Sequence, residues 1–171
     1  MDVGIVEGEM TTPTAFDRHA DVYQAVWGDD PVAQEMRRAV WRVADAVLPA
    51  GGHILDAGCG IGLDAAWLVD SGRQVTAIDA SAGMVAQARS RLPDADIHHL
   101  PLQHLGRLGQ TFDGALSDFG VINCLDPTAA AAALADCLAP GAPAVVVPMP
   151  RVNPAWMLHR LLTGHPRVAL S

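Results

Sequence analysis

At 171 residues the chain has the length of one domain, and half of its residues are apolar. Its formal net charge of −8 and the lack of a basic run argue against nucleic acid as the main partner. No stretch approaches the roughly 18 uninterrupted apolar residues of a membrane span, and the acidic start lacks the pattern of a secretory signal. These features predict a cytoplasmic protein with no membrane partner.

The first fifty residues are predicted to precede the main domain. Residues 1–14 form a flexible leader that ends in a turn-prone Thr-Thr-Pro-Thr segment. Residues 15–50 form an N-terminal helical lid, because apolar residues recur there at helical spacing. They are Phe16, Ala20, Tyr23 and Trp27 in a first helix and, after Pro31, Met36, Val40, Val43, Ala44 and Val47 on one face of a second.

From residue 51 predicted strands and helices alternate. The strands cover 53–57, 74–79, 95–99, 112–117 and 143–148, and the helices cover 63–71, 81–92, 127–139 and 153–162. Ser81 and Asp126 are predicted helix caps, and residues 101–110 are predicted to form a loop. This alternation indicates an α/β, doubly wound, mostly parallel sheet of about five strands with helices on both faces.

The turn after the first strand carries the clearest functional signal. Gly58, Gly60 and Gly62 allow a tight turn whose backbone a ligand can approach. Asp79 ends the second strand, where a carboxylate can accept hydrogen bonds from both hydroxyls of a ribose. Asp56 disfavours a pyrophosphate over the turn, because the two anions would repel each other. The pattern favours S-adenosylmethionine, whose sulfonium and ammonium outweigh its single carboxylate.

Four motifs in order resemble those of class I S-adenosylmethionine-dependent methyltransferases. Residues 56–62 (DAGCGIG) resemble the first motif, and residues 75–81 (VTAIDAS) with Met84 resemble the second. Residues 112–117 are similar to the fourth strand of that Rossmann-like fold, and residues 138–141 to the turn that enters the fifth. The resemblance implies transfer of a methyl group to a small-molecule acceptor by in-line displacement. A catalytically silent or split S-adenosylmethionine-binding module that needs a partner chain is the alternative.

The resemblance also implies a set of contacts. The glycines shape the pocket for the methionine end of S-adenosylmethionine, Asp56 orients that end, Asp79 binds the ribose, and Met84 packs on adenine or simply fills the core. The predicted cofactor-binding residues are Asp56, Gly58, Gly60, Gly62, Asp79, Ala80, Met84 and Ser117. Arg18 and Arg38 are candidates for the methionine carboxylate, with an exposed helix face as the alternative for both.

The acceptor side is less defined by the sequence. The candidates that face the methyl group are His19, Tyr23, Asp118 and Asn123, each with an ordinary surface or capping role as the alternative. No catalytic residue is assigned, because displacement from a sulfonium mainly requires alignment, and the need for a general base stays open.

No metal site is predicted. His98 and His99 are adjacent in a strand, so their side chains point to opposite faces of the sheet. Cys59, Cys124 and Cys137 have no metal-binding spacing, and Cys59 and Cys137 are predicted to be buried thiols.

The fifth strand is predicted to lie at an uncovered sheet edge. Members of the family usually continue with two further strands, and the sequence after residue 148 contains neither. We therefore expect residues 51–171 to form a C-terminally incomplete core, as a truncated product, a split enzyme or a domain that dimerises. Because an apolar edge strand is a template for association, we expect a homodimer or a complementing chain to cover residues 143–148.

Overall fold

The computed structural model describes residues 23–118 and 121–148. A parallel five-stranded sheet forms the centre, in the order β3-β2-β1-β4-β5. Its strands are β1 (His53–Ala57), β2 (Gln74–Asp79), β3 (Asp96–His99), β4 (Gly114–Ser117) and β5 (Ala144–Val146).

Within the described residues four α-helices pack on the sheet: α1 (Pro31–Val47), α2 (Leu63–Asp70), α3 (Ala82–Arg91) and α4 (Pro127–Cys137). A π-helical turn (Gln24–Gly28) precedes α1, and two 3-10 helices (Leu102–Leu108 and Val121–Cys124) flank β4. No helix in the described residues is both long and apolar enough to cross a membrane.

Side-chain caps begin three of the helices. Asp30 and Asp126 each accept hydrogen bonds from two backbone N–H groups, and a proline occupies the first turn of both helices. The Ser81 hydroxyl accepts a hydrogen bond from Met84 N at 3.2 Å. The predicted caps at Ser81 and Asp126 are confirmed.

The predicted element boundaries needed small corrections. β4 begins at Gly114 rather than at residue 112, because Phe112 forms only an isolated bridge with Leu138. β5 is three residues long rather than six, and Pro143 and Pro148 lie on either side of it. The predicted loop 101–110 contains the 3-10 helix Leu102–Leu108. The predicted helix at 153–162 lies outside the described residues.

Two apolar clusters lie on opposite faces of the sheet. One joins α1, α2 and α3 to the sheet through residues that include Ala44, Leu48, Leu68, Val85, Ile54, Leu116 and Val145. The other joins α4 and the 3-10 helix at 102–108 to it through residues that include Leu102, Leu105, Leu134, Leu55, Ile78 and Phe112. The doubly wound α/β architecture is confirmed, and Cys59 and Cys137 are buried as predicted.

The predicted buried face of α1 is partly wrong. Val40 and Ala44 pack against the core, but Met36, Val43 and Val47 are exposed. The helix is rotated toward α2 because Arg37 and Trp41 both contact Asp64, at 3.3 and 2.7 Å. A buried carboxylate that needs partners outweighs the burial of a few methyl groups.

We predict that Gly62→Ala destabilises the fold more than Gly72→Ala. Both glycines have left-handed backbones, with φ of +80° and +82°, so each substitution carries a conformational cost of about 1–2 kcal/mol. At Gly62 the new Cβ would also lie 3.1 Å from the Ala88 Cβ, whereas nothing lies within 4 Å at Gly72. Urea unfolding of the two variants measures the difference, and equal losses would contradict close packing of α2 against α3.

Candidate functional site

The strand order reverses between β1 and β4, and this position defines a crevice at the carboxyl ends of the strands. β1 continues to β2 on one side, while β4 joins its other side after the chain has passed through β3. In open α/β sheets ligands bind at such a switch point. The glycine turn, Asp79, Ser117 and Asp118 all lie at these strand ends.

The glycine turn (residues 58–62) has a backbone that side chains rarely allow. Gly58, Gly60 and Gly62 have φ of 85°, 52° and 80°, all in the left-handed region. Gly58 N and Cys59 N both donate to the Ile78 carbonyl, at 2.8 and 2.9 Å, which ties the turn to β2. The close approach of Gly62 to Ala88 brings α2 against α3. The turn is therefore a rigid cradle with little side-chain bulk.

Asp79 joins two turns at the rim of the crevice. Its Oδ2 accepts a hydrogen bond from Gly60 N at 2.9 Å, and its Oδ1 accepts one from Ser81 N at 2.8 Å. These two hydrogen bonds orient the carboxylate at the rim of the crevice. The next residue, Ala80, is exposed, and its carbonyl lies 3.1 Å from His99 Nε2.

Asp56 is a buried acid below the glycine turn. Burial raises its pKa well above the usual value, and the nearby Asp64, Asp118 and Asp79 raise it further, against a backbone hydrogen bond from Ala65. Its Oδ2 has no hydrogen-bond partner in the described residues. The Oγ of Ser117, at the end of the adjacent β4, likewise has none among them.

A small cavity lies over the turn. It has a volume of about 20 Å³ and is lined by Tyr23, Arg37, Asp64, Asp118, Leu63 and residues 58–61. Burial raises the pKa of Tyr23, so its hydroxyl stays neutral near pH 7. Burial and the neighbouring Asp56 raise the pKa of Cys59 well above its usual value, so this thiol is not a nucleophile.

Arg37 is a site residue that the sequence reasoning missed. It is buried, its Nε lies 3.3 Å from Asp64 Oδ1, and its Nη1 donates to the Trp27 carbonyl at 3.1 Å. The predicted Arg38 is instead exposed and pairs with Glu35 at 3.3 Å, and Arg18 lies outside the described residues. The sequence does contain a sign that Arg37 is buried. It lies at helical spacing from Ala33, Ala44 and Leu48, which are buried in the structure.

The structure brings together part of the predicted acceptor side. Tyr23 and Asp118 line the same cavity as Arg37. His19 and the Asn123 side chain lie outside the described part of the chain. Met84 is buried in a small cluster with Ile61, against which Tyr23 and Leu63 pack. A place under adenine and a place in the core are both compatible with this position.

The histidines occupy separate surroundings. His98 Nε2 lies 2.7 Å from Asp96 Oδ1, whereas His99 contacts the Ala80 carbonyl. Within the described residues no three or more His, Cys, Asp or Glu side chains are grouped to hold a metal ion.

The residues present fit S-adenosylmethionine better than an anionic ligand. The crevice combines a turn without side-chain bulk, four acidic residues and a carboxyl oxygen without a hydrogen-bond partner in the described residues. Such a site favours a ligand that carries cations. Arg37 offers one counter-charge for a carboxylate in the same cavity.

Residues 54–141 match the family model described as a methyltransferase domain. The chain belongs to the class I S-adenosylmethionine-dependent methyltransferases. Two curated relatives illustrate the family. The dTDP-3-amino-3,4,6-trideoxy-alpha-D-glucopyranose N,N-dimethyltransferase of Streptomyces venezuelae is 32% identical, over 76% of this chain and 56% of its own. A demethylmenaquinone methyltransferase of Paenarthrobacter aurescens is 30% identical, over 84% of this chain and 57% of its own.

Solved structures agree with this assignment. The S-adenosylmethionine-bound CalS10, an amino pentose methyltransferase from Micromonospora echinaspora, has a TM-score of 0.63 and 30% identity, over 75% of this chain and 56% of CalS10. The predicted family, fold and cofactor class of the methyltransferase are confirmed. The chain spans a little more than half the length of the curated relatives it matches.

We predict that Asp56→Asn stabilises the methyltransferase without ligand and weakens its binding of S-adenosylmethionine. The raised pKa means that the folded chain holds a proton more tightly than the unfolded chain. Wild-type stability therefore falls as the pH rises above the unfolded value of about 4. Asparagine has no such charge, so the Tm advantage of the variant should grow from pH 4 to pH 8.

Differential scanning calorimetry measures the difference in Tm between the variant and wild type. In a chain of this size, each kcal/mol of stability corresponds to about 2–4 °C in Tm. Asp136→Asn, on the exposed side of α4, is the matched control and should show no such pH trend. A lower Tm for Asp56→Asn at pH 8 would contradict the assigned cause.

Proposed function

We propose that this chain binds S-adenosylmethionine in the crevice over the glycine turn and transfers its methyl group to a small-molecule acceptor. The observation that carries the proposal is the position of the Asp79 carboxylate, held against Gly60 N and Ser81 N at the rim of an acidic crevice. A nucleoside over the turn brings its ribose hydroxyls to this carboxylate, which accepts charge-assisted hydrogen bonds from them.

The buried acids serve the cationic end of the cofactor in this proposal. Asp56 lies below the turn with a carboxyl oxygen that has no partner among the described residues, and Asp64 and Asp118 add negative potential. A bound sulfonium and ammonium favour the ionised form of Asp56, so binding releases a proton. Ser117 Oγ offers a hydrogen bond at the same strand ends.

Arg37 is proposed to bind the methionine carboxylate. Its guanidinium is already oriented by Asp64 and by the Trp27 carbonyl, so little conformational freedom is lost on binding. Trp41 donates to Asp64 at 2.7 Å and stacks on Trp67 with centroids 5.3 Å apart, which holds the pair in place.

Ligand entry requires movement at Tyr23. A 20 Å³ cavity holds about one water molecule, which is far too small for a nucleoside. Tyr23 packs over the turn and stands outside the sheet, on the segment before α1, so its displacement opens the crevice at low cost.

The acceptor is proposed to be a small molecule that reaches the methyl group between Tyr23 and Asp118. The two curated relatives are named for a nucleotide-linked amino sugar and for demethylmenaquinone. A buried carboxylate at this position suits an amine, because it stabilises the positive charge that the amine nitrogen gains as the C–N bond forms and the C–S bond of the sulfonium breaks. The protein otherwise acts by alignment of nucleophile, methyl and sulfur.

We predict that Asp79→Asn lowers the affinity for S-adenosylmethionine about 10- to 100-fold. The amide loses one acceptor and the charge-assisted hydrogen bonds, worth about 1.5–3 kcal/mol. Isothermal titration calorimetry with S-adenosylmethionine and its demethylated product measures the change, with the exposed Asp94→Asn as control. Tighter binding of NADH by the wild type than of either ligand would overturn the proposal.

A second prediction concerns Arg37. Wild type should bind decarboxylated S-adenosylmethionine about 10-fold or more weakly than S-adenosylmethionine, since a charge-assisted pair is lost. Arg37→Gln should bind the two ligands with similar affinity, because the partner of the carboxylate is gone. Arg38→Gln, the exposed neighbour, should behave as wild type. Full discrimination by Arg37→Gln would assign the carboxylate to another group.

A further inference from the structure

The residues that precede α1 lie over the glycine turn. We call residues 23–29 the entry segment. Tyr23 Cε1 lies 3.9 Å from the position that a Cβ on Gly60 would take, and the Tyr23 side chain packs against Ile61 and Met84. The cavity that Tyr23 lines with the turn has a volume of about 20 Å³. The entry segment in this position and a nucleoside over the turn therefore exclude each other.

The entry segment has an uncommon backbone that ends where α1 begins. Gln24–Gly28 forms a π-helical turn, closed by Asp29 N, which donates to the Gln24 carbonyl at 2.8 Å. Turns of this kind are rare and occur frequently at functional sites. Asp30 caps α1 with its side chain, and Pro31 occupies the first helical position. Because α1 has its own cap, the entry segment can be displaced without unwinding the helix.

Three side chains outside the entry segment donate hydrogen bonds to it. The contacts are Arg91 Nη2 to Gln24 Oε1 at 2.7 Å, Arg37 Nη1 to the Trp27 carbonyl at 3.1 Å, and Gln34 Nε2 to the Gly28 carbonyl at 2.9 Å. Gln34 and Arg37 belong to α1, which follows the entry segment directly in the chain. Arg91 ends α3 and is 67 positions away from Gln24.

The contact between Arg91 and Gln24 joins the entry segment to the glycine turn. Arg91 Nε donates to the Ile61 carbonyl at 3.0 Å, which fixes the guanidinium beside the turn. Gln24 Nε2 donates to Asp29 Oδ1 at 2.8 Å, which orients the amide with its oxygen toward Arg91. Both partners are therefore held in place before they meet, so little conformational freedom is lost in this contact.

We propose that the entry segment is autoinhibitory, and that the hydrogen bond from Arg91 to Gln24 holds it over the crevice and limits binding of S-adenosylmethionine. The inference rests on the proposed function, because it concerns the same crevice. The ligand binds only the molecules in which the entry segment is displaced. The apparent affinity is then the intrinsic affinity of the crevice multiplied by the fraction of such molecules.

Arg37 links displacement of the entry segment to the ligand. It donates to the Trp27 carbonyl in the closed position, and it is the residue proposed to bind the methionine carboxylate. A carboxylate is a stronger acceptor than a carbonyl, so the ligand draws the guanidinium away from Trp27. The entry segment loses one of its contacts in this step. The contact with Arg91 is independent of the ligand, and it therefore sets how often the crevice is open.

Gln24→Ala and Arg91→Gln test the proposal, because they remove the same hydrogen bond from its two sides. Each variant should bind S-adenosylmethionine about 5-fold more tightly than wild type in isothermal titration calorimetry, since the closed state loses a charge-assisted contact. Stopped-flow fluorescence with the demethylated product should show faster association and unchanged dissociation. The entry segment is displaced in every complex, so the lost contact does not affect release.

Two controls separate this role from a general effect on the fold. Arg42→Gln, an exposed arginine on α1, should bind as wild type does. The double variant Gln24→Ala/Arg91→Gln should bind no more tightly than either single variant, because both changes remove one shared contact. In the protein without ligand, the backbone amides of residues 24–29 should exchange hydrogen faster in each variant, while those in the middle of α1 are unchanged. Circular dichroism checks that the variants are folded.

The outcomes distinguish this inference from the proposed function. If wild type binds S-adenosylmethionine and Gln24→Ala binds it equally or more weakly, the autoinhibitory role is overturned while the proposed function stands. Slower association in that variant would have the same meaning. Gln24→Ala leaves the contact of Arg91 with Ile61 intact, so this result does not depend on Arg91→Gln being folded. Absence of binding by wild type and by both variants would overturn the proposed function and this inference together.

Discussion

The two backbone N–H groups that share the Ile78 carbonyl are the contact on which the rest of the molecule depends. They hold the glycine turn against the end of β2, and this directs α2 back along the sheet and brings Gly62 against Ala88. The same contact places Gly60 N within reach of Asp79, so the carboxylate is oriented before a ligand arrives. The strand order, the packing of α2 against α3 and the orientation of Asp79 therefore all depend on one short segment of backbone.

The crevice holds several acidic side chains close together, which is unfavourable until a cationic ligand binds. Burial and three neighbouring acids raise the pKa of Asp56, and a structure optimised for stability alone would not place acids together in this way. Functional sites commonly carry such a cost. Arg37 offsets part of this cost through its ion pair with Asp64. Arg37 also lines the cavity.

Helix α1 carries residues of the crevice on one side and exposed apolar residues on another. Its inner side carries Arg37 and Trp41 to Asp64, and these polar contacts determine how the helix is rotated. That rotation leaves Met36, Val43 and Val47 outside the core. A change at Asp64 would therefore act on both surfaces, through the orientation of a single helix.

The sequence by itself was sufficient for the alternation of strands and helices, the helix caps and the glycine turn. These follow from local spacing and from residues such as Gly58, Ser81 and Asp126, whose effects act within a few positions of the chain. The family could be recognised for the same reason, because its motifs are contiguous. Only the tertiary structure decided that Arg37 rather than Arg38 enters the cavity and that α1 exposes an apolar stripe. Both depend on Asp64, a residue more than twenty positions away, whose need for hydrogen-bond partners no local pattern reveals.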